Sequence, residues 1–279
     1  MCDNEDIMHI RPLSDVHLEF GYLNVSTLPT DPDTVLVLAG DIGLVHKPSV
    51  LKQRFIPFLT ECNAAFRATI LILGNHEHYG GSIHRTADKM RSYIQSANLE
   101  KVFLLEKEVH VIDDVAFIGT TLWTDCDNHS PYAGMLWHTM SDNKAIRSGP
   151  PSDPYKRRFT AMDSWVEHRH SKLFLFNAVR ECADRGLKTV VVTHHAPTRA
   201  SLSPHFEGDS LNLFYASEMT LDIMDCPPDL MIHGHVHHAS DYLIDSTQQI
   251  CNTRVVCNPR GYCSYDSHTG FNPILVVDL

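Results

Sequence analysis

The 279-residue sequence predicts an α/β fold, and three observations lead to this prediction. Short apolar runs rich in β-branched residues recur along the chain, which is typical of strands buried on both faces of a sheet. Stretches with helical periodicity separate the first of these runs. A polar cluster follows most of the runs, and the carboxyl ends of parallel strands meet at one edge of an α/β sheet. The polar clusters are therefore expected to converge.

The predicted elements are short strands and three longer helices. The clearest strands cover 35–39, 70–73, 190–192 and 230–232, where continuous apolar runs lead into a polar cluster. Further strands are predicted at 102–105, 109–112, 115–119, 254–258 and 274–277. Helices are predicted at 51–68, 84–97 and 163–185, the last ending at Gly186, since glycine commonly terminates helices.

Two stretches lack clear periodicity and are predicted to be long loops. Residues 120–154 hold two tryptophans, several Asp and Asn residues and a Pro-Pro pair, and the second stretch covers 196–213. Long polar and aromatic loops beside motif-bearing strands commonly line binding sites. We therefore predict one domain over residues 1–279, with a lid or insert at about 120–154.

The charge balance restricts the possible partners. The formal net charge is −11, from 23 Lys and Arg against 34 Asp and Glu. This balance argues against strong nonspecific nucleic-acid binding, which requires Lys and Arg to neutralise phosphates. A small phosphorylated or nucleotide-like substrate stays compatible, because bound metal ions can reverse the field inside a cleft.

The cysteines and the chain start predict a cytoplasmic protein. The eight cysteines have irregular spacings without a C-x-x-C pair, so reduced thiols are expected rather than a disulfide framework. The acidic start lacks the apolar segment of a signal peptide. No apolar stretch is long enough to cross a bilayer, so no membrane association is expected.

Five short polar clusters occur in a fixed order along the chain. Together they offer carboxylates, an amide and several imidazoles, a donor set that suits Mn, Fe or Zn better than Mg or Ca. Each cluster alone has an ordinary explanation as a strand-end turn, but five ordered matches argue against coincidence. The clusters are Ser14-Asp15-Val16-His17, Gly40-Asp41, Gly74-Asn75-His76-Glu77, Thr193-His194-His195 and Gly234-His235-Val236-His237.

This ordered series resembles the calcineurin-like metallophosphoesterase superfamily, whose motifs are D-x-H, G-D, G-N-H-[ED], a lone His and G-H-x-H. Four phrases, at 13–20, 121–124, 193–197 and 258–262, are similar to small stand-alone bacterial and phage-type members. The resemblance implies a four-layer αββα sandwich of two mixed sheets flanked by helices, with a dinuclear metal site at the carboxyl ends of strands. That architecture fits the strand count better than a single doubly wound sheet.

The resemblance also implies which residues hold two divalent ions of the Mn/Fe/Zn class. A hydroxide that bridges the ions is expected to attack phosphorus, with Asp41 shared between the ions and His76 donating a proton to the leaving oxygen. Residue spacing gives separate support, because i and i+2 side chains of an extended backbone point the same way. One ion is expected to take Asp15, His17, Asp41 and His237, and the other Asp41, Asn75, His194 and His235.

Two departures from the family pattern affect this prediction. Many members carry a second Asp in G-D-x-x-D that orients the histidine of the third motif, and here Leu44 stands at that position, so the group that orients His76 is not identified. The arginine that follows the second motif in protein Ser/Thr phosphatases is also absent. His195 is predicted either to contact the phosphoryl group or to support the site. Arg260 is predicted either to contact substrate or to support its own loop.

The leading functional hypothesis is a dinuclear-metal phosphoester hydrolase that favours phosphodiesters. A phosphomonoesterase with the same site is the first alternative. A non-catalytic interaction module is a second, and the presence of every motif residue argues against it. A two-metal amidase or peptidase is a third, without a recognisable motif in this chain.

Overall fold

The computed structural model describes residues 7–25, 27–246, 252–263, 265–266 and 268–279, and all statements of structure refer to these. Cys2, Cys251 and the acidic start lie outside them. The strands, in chain order, are β1 (His9–Leu13), β2 (Val35–Ala39), β3 (Ala68–Ile72), β4 (Val102–Leu104), β5 (Glu108–Ile112), β6 (Val115–Thr120), β7 (Arg147–Ser148), β8 (Arg157–Arg158), β9 (Lys188–Thr193), β10 (Leu230–His233), β11 (Ser240–Asp245), β12 (Asn252–Cys257) and β13 (Val277–Asp278).

Two large sheets contain most of these strands. The first has the order β13-β1-β2-β3-β4, with β1 to β4 parallel and β13 antiparallel at one edge. The second has the order β11-β12-β10-β9-β6-β5, with a parallel centre and one antiparallel strand at each edge. Both sheets are mixed, as predicted. Strands β7 and β8 form a separate small ribbon.

The longer helices lie on the outer faces of the sheets. Helix α1 runs continuously through Pro48–Val50, the π-helical stretch Leu51–Phe55 and Ile56–Ala65. The remaining helices are α2 (Thr86–Ser96), α3 (Pro131–Leu136), α4 (Ser141–Ala145), α5 (Ala161–Asp184) and α6 (Thr220–Asp225). Short 3-10 turns occur at Asp31–Asp33, His76–His78, Trp137–Thr139, Arg199–Ser201, Pro204–Phe206 and Ser210–Phe214.

Successive side chains of a strand point to opposite faces of its sheet, and the burial of both faces produces the four layers. In β2, Val35 and Val37 point into a core shared with Val190 and Val192 of β9, which lies between the two sheets. The alternate residues of β2 pack against Phe55 and Phe58 of α1. The outer face of the second sheet packs in the same way against α5 and α6. The prediction of a four-layer αββα sandwich is confirmed.

Several predicted boundaries were wrong. The first helix was expected at 51–68, but it ends at Ala65, because Phe66 adopts an extended backbone and Ala68 pairs with Val35 in the first sheet. Strands β1 and β11 were not predicted. Strand β11 was missed because it is an edge strand whose side chains are mostly exposed or half-buried. Of the strand predicted at 274–277, only Val277 is in β13.

The segment predicted as an insert is more regular than expected. It contains α3, α4, β7 and a left-handed turn at Cys126–His129, where four consecutive residues have positive φ. Its apolar residues, among them Trp123 and Trp137, pack in a separate core together with Phe159 and Phe214 from other parts of the chain. The five buried cysteines among the described residues, Cys62, Cys126, Cys182, Cys226 and Cys257, are free thiols. None of the described helices combines the length and apolar character needed to cross a membrane.

Candidate metal centre

The predicted site residues lie at the carboxyl ends of parallel strands from both sheets. Asp15 follows β1, Asp41 follows β2, and Asn75 follows β3, all in the first sheet. His194 follows β9 and His235 follows β10 in the second sheet. Because the two sheets pack face to face, these five strand ends meet above the inter-sheet core.

The backbone at these residues differs from the expected extended form. Asp15, His17, Asp41, His235 and His237 have φ of 50°, 48°, 54°, 71° and 46°. The argument from strand alternation was therefore wrong, since each pair converges through a turn in the left-handed region. A non-glycine residue in that region costs roughly 1–2 kcal/mol. Such strain persists only where surrounding contacts hold it, and it is typical of functional sites.

The first group of donors consists of Asp15, His17 and His237, whose ligand atoms lie within 4.8 Å of one another. The Nε2 atoms of His17 and His237 are 3.1 Å apart. Asp15 Oδ1 is 3.4 Å from His237 Nε2. Behind the rings, His17 Nδ1 donates to Glu19 at 3.1 Å and His237 Nδ1 donates to Asp266 at 2.6 Å.

The hydrogen bonds behind the two rings determine what the front of the rings can bind. A carboxylate only accepts, so the Nδ1 atoms of His17 and His237 carry the protons and the Nε2 atoms of the neutral rings present lone pairs. Two lone pairs and the Asp15 carboxylate then face one another. Such an arrangement is repulsive without a positive charge between the groups, and it therefore fits a bound cation.

The second group of donors is Asp41, His194 and His235, again within 4.8 Å of one another. His194 Nδ1 donates to the Ala39 carbonyl at 3.0 Å, so Nε2 is the ring atom left to bind a proton or a metal ion. That Nε2 lies 3.0 Å from Asn75 Oδ1 and 3.4 Å from Asp41 Oδ1. Because both neighbours are oxygen acceptors, a positive charge, either a proton or a cation, is needed between them and Nε2. The structure therefore brings all seven predicted ligands together in two groups that fit divalent ions.

The pKa shifts show how negative this cluster is. Burial alone would raise the pKa of Asp15, but His237 and His194 hold it well below its usual range. Burial lowers the pKa of His194, yet the nearby Asp41 and Asp15 carboxylates raise it to about 9. The cluster thus attracts positive charge, whether as protons or as metal ions. By contrast, burial and the neighbouring His194 lower the pKa of His235 to about 3, so that ring stays neutral.

Two glycines of the motifs are required by the close approach of ligands. A Cβ on Gly74 would lie 2.1 Å from Asp41 Oδ1, and a Cβ on Gly234 would lie 2.6 Å from Asp15 Oδ2. Both distances are far below van der Waals contact. The glycines of G-N-H and G-H-x-H therefore create the space that the carboxylates occupy.

Glu77 holds two of the motifs together, a role that sequence reasoning missed. Its carboxylate accepts hydrogen bonds from the backbone N–H groups of Asp41, Ile42, Gly43 and Gly74, at 2.6–3.1 Å. Glu77 is fully buried. The acidic position of G-N-H-[ED] is thus the residue that joins the Asp41 loop to the Asn75 loop.

His76 lies between a buried carboxylate and the opening of the site. Its Nδ1 is 2.9 Å from Glu19 Oε1, and its Nε2 is 3.3 Å from the Tyr262 hydroxyl. The ring stacks on Tyr79 with 4.3 Å between centroids. Burial lowers the pKa of His76, but Asp41 and Glu19 outweigh burial and raise it to about 9. The carboxylate that hydrogen-bonds His76 is therefore Glu19, which the motif series did not single out.

Comparisons with known proteins agree with this architecture. A family model described as calcineurin-like phosphoesterase matches residues 8–239. The chain belongs to the calcineurin-like phosphoesterase family. It is 23% identical over 300 residues to an uncharacterized protein of Acanthamoeba polyphaga mimivirus, a match that covers 97% of this chain and 96% of that protein.

Solved structures show the same fold. The chain is similar to the phosphopantetheinyl hydrolase PptH from Mycobacterium tuberculosis, with a TM-score of 0.63, 14% identity and coverage of 97% of this chain and 95% of that chain. It is also similar to a dimetal phosphatase from Danio rerio, with a TM-score of 0.50, 12% identity and coverage of 91% and 88%. At these identities the likeness concerns the fold.

In this calcineurin-like phosphoesterase a cavity of about 650 Å³ opens above the two donor groups. Its floor includes Asp41, Asn75 and His76. One wall comes from the insert, at Thr139–Asp142, and the other from the loop 202–215. Five aromatic residues line it, namely Phe20, Tyr79, Phe206, Tyr215 and Tyr262.

Arg260 and His195, for which the sequence left two roles possible, are not among the residues that line this cavity. Arg260 donates to the carbonyls of Val16, Gly21 and Tyr22 at 2.8–3.0 Å, which favours the role of loop support. His195 is buried, with its ring centroid 4.1 Å from that of His235. Its Nδ1 is 3.3 Å from the Thr121 carbonyl. This position favours a supporting role behind His235.

Proposed function

We propose that this protein is a dinuclear-metal phosphoester hydrolase that prefers small phosphodiesters. The observation that carries the proposal is the pair of donor groups at the base of the cavity, where histidine Nε2 atoms and carboxylate or amide oxygens converge. When bound, two divalent ions of the Mn/Fe/Zn class supply Lewis-acid activation of the phosphoryl group and of water. Family membership supports phosphoester chemistry at such a site.

We assign roles to the residues as follows. Asp41 is the ligand shared by both ions, since its Oδ1 is 3.4 Å from His194 Nε2 and its Oδ2 is 3.8 Å from His17 Nε2. His76 is the general acid, because its Nε2 faces the cavity and lies 3.9 Å from Asp41 Oδ2. The other predicted ligands keep the assignment implied by the motif order: Asp15, His17 and His237 for one ion, and Asn75, His194 and His235 for the other.

The cavity lining supports the preference for diesters. A monoester dianion carries more charge than a diester and usually needs cationic side chains beyond the metals. Among the described residues that line the cavity there is neither Lys nor Arg, while Asp142, Asp209 and Asp266 are present. The aromatic walls offer apolar surface for the second substituent that only a diester carries. This lining fits a monoanionic phosphate with two organic groups.

The related folds are compatible with small substrates. One protein of similar fold is named a phosphopantetheinyl hydrolase and another a dimetal phosphatase. The second candidate for this chain is accordingly a phosphomonoesterase that uses the same two ions.

The test is a comparison of substrates at defined metal content. Protein stripped of metal and reloaded with Mn²⁺, Fe²⁺ or Zn²⁺ is assayed with bis-p-nitrophenyl phosphate, p-nitrophenyl phosphate and cyclic nucleotides. We expect kcat/KM to be higher for the diester than for the monoester. A clear monoester preference would support the phosphomonoesterase instead. Binding of two ions without hydrolysis of any ester would support a non-catalytic module.

A further inference from the structure

Glu19 is the only described carboxylate that hydrogen-bonds the ring of His76. One oxygen, Oε1, accepts from His76 Nδ1 at 2.9 Å and from His17 Nδ1 at 3.1 Å. The side chain of Glu19 is only 6% exposed, so water competes little for this oxygen. Leu44, at the position where many relatives carry an aspartate, is apolar and cannot accept a hydrogen bond.

The backbone of Glu19 is anchored independently of the site. Arg54 of α1 donates through the same nitrogen to the carbonyls of Leu18 and Glu19, at 2.6 and 3.2 Å. Phe20 N donates to the His17 carbonyl at 2.9 Å, which closes the turn around Glu19. The carboxylate is therefore presented to His76 by a rigid turn that is packed against a helix.

The contacts that His76 makes away from Glu19 are compatible with one orientation of the ring. Tyr79 covers one face, with an interplanar angle of 29°. Nε2 faces the cavity, 3.9 Å from Asp41 Oδ2 and 3.3 Å from the Tyr262 hydroxyl. If the ring turned over, Glu19 would lose its only donor from His76. Glu19 thus decides which nitrogen of His76 faces the substrate.

We propose that Glu19 is the positioning residue for the general acid His76. It supplies the carboxylate that many family members provide from the position of Leu44. This inference rests on the proposed function for its catalytic consequence. As a bond from a hydroxide oxygen to phosphorus forms and the bond from phosphorus to the leaving oxygen breaks, the proton on His76 Nε2 passes to the leaving oxygen, which departs as an alcohol and leaves the His76 ring neutral. Glu19 accepts from Nδ1 and so keeps that nitrogen directed away from the substrate, which leaves Nε2 as the nitrogen that faces the leaving oxygen.

The first test compares leaving groups. Glu19→Gln removes the charge at nearly constant size, and Glu19→Ala removes the acceptor. With Mn²⁺ saturating, we expect kcat for an alkyl or nucleoside diester to fall by about 10- to 100-fold, as for other partners that orient a functional histidine. Esters of p-nitrophenol should be affected much less, because that leaving group departs without protonation. Equal losses for both kinds of ester would overturn the proposal.

A double-mutant cycle separates positioning from general damage. If Glu19 acts through His76, then Glu19→Gln should cause almost no additional loss of alkyl-diester hydrolysis in a His76→Ala background. Losses that multiply would show that Glu19 acts elsewhere, for example through His17. Because Glu19 also accepts from the predicted ligand His17, metal content is measured by mass spectrometry in each variant, and activities are compared at Mn²⁺ concentrations that keep two ions per chain. A defect that disappears at full metal occupancy would assign Glu19 to the metal site.

Asp266→Asn is the matched control. Asp266 accepts from His237 Nδ1 at 2.6 Å, which is the same kind of pair with a predicted metal ligand that Glu19 forms with His17, but only Glu19 of these two carboxylates also bonds His76. We expect this variant to weaken metal binding and to slow both kinds of ester alike at limiting Mn²⁺. A leaving-group dependence as large as that of Glu19→Gln would contradict the assignment of separate roles.

A spectroscopic measurement tests the inference even if no substrate is turned over. In ¹⁵N-histidine-labelled, Zn²⁺-loaded protein, the signals of His76 are identified by their loss in His76→Ala. We expect a protonated Nδ1 with a strongly deshielded proton, and we expect this proton signal to disappear or move upfield in Glu19→Ala. An unchanged His76 spectrum would overturn the proposal. Absence of hydrolysis with this signature intact would contradict only the proposed function.

Discussion

Asn75 donates a 2.9 Å hydrogen bond through its amide nitrogen to Asp142 of helix α4. This contact turns the amide oxygen of Asn75 toward His194 Nε2, 3.0 Å away. A residue of the insert therefore sets the direction of a predicted metal ligand that follows a strand of the first sheet. The insert is thus connected to the site through a buried side chain, in addition to forming one wall of the cavity.

Asp142→Ala is expected to weaken binding of the second metal ion by about 10- to 100-fold, because Asn75 loses the partner that fixes its orientation. Among the described residues, the Tyr79 hydroxyl, at 3.1 Å, is then the one partner left for the amide nitrogen. Titration of metal-free protein with Mn²⁺ by calorimetry measures the two affinities. Lys144→Ala, an exposed change on the same helix, should leave both affinities unaltered. Equal affinities in Asp142→Ala and the parent protein would refute this role.

Asp41→Asn is expected to remove one of only two carboxylates among the predicted ligands. The bound metal, measured by mass spectrometry, should fall well below two ions per chain, and hydrolysis should fall with it. A variant that retains both ions and near-normal turnover would show that Asp41 is not shared between them.

Gly74→Ala should disrupt the site, because the new Cβ would lie 2.1 Å from Asp41 Oδ1 and 2.6 Å from Asp41 N. We expect a loss of about 1–3 kcal/mol in the free energy of unfolding, as for overpacked positions, together with weaker metal binding. Gly134→Ala is the control, since that glycine lies in α3 and its Cβ would meet no atom within 4 Å. Denaturant unfolding should show Gly134→Ala to be neutral or slightly stabilising. Similar stability losses in the two variants would contradict the steric argument.

Metal removal is expected to destabilise the fold, because ions that bind only the folded protein stabilise it. A ligand at 100 times its Kd stabilises a protein by about 2.7 kcal/mol, so metal loading should raise Tm by several degrees. Thermal unfolding of chelator-treated and Mn²⁺-reloaded protein measures this difference. The metal-induced increase in Tm should be markedly smaller in Asp41→Asn than in the parent protein. An equal increase in the two would indicate that the ions bind at a site that does not include Asp41.

The sequence carried enough information to predict the layers and which polar side chains converge. Apolar runs such as 35–39 are buried on both faces in the structure, and that pattern of burial requires a sheet with other layers on each side. Chain order and strand-end position then led to the correct set of converging side chains. Boundaries were less accurate where tertiary contacts decide them, as at Ala68, which is compatible with a helix by propensity but pairs with Val35 in the sheet.

The supporting carboxylates needed the tertiary structure. Glu77 belongs to a recognised motif, yet nothing in the motif indicates that its carboxylate accepts four backbone N–H groups from two loops. Glu19, Asp142 and Asp266 lie at sequence distances of 57, 67 and 29 residues from the side chains that they orient. A hydrogen bond across such distances depends on how separate elements pack, and a single sequence contains no local signal for it.

The sequence by itself determined the fold class, the order of the motifs and the chemical types of the donors, because hydrophobic burial and strand-end turns are encoded locally. Only the tertiary structure decided how those donors are held: ligand residues in left-handed conformations, glycines that make room for carboxylates, and Glu19 in contact with His76 where Leu44 offers no acceptor. The physical reason is that orientation at a site depends on contacts within about 3 Å, and folding creates those contacts between residues that are distant in the chain.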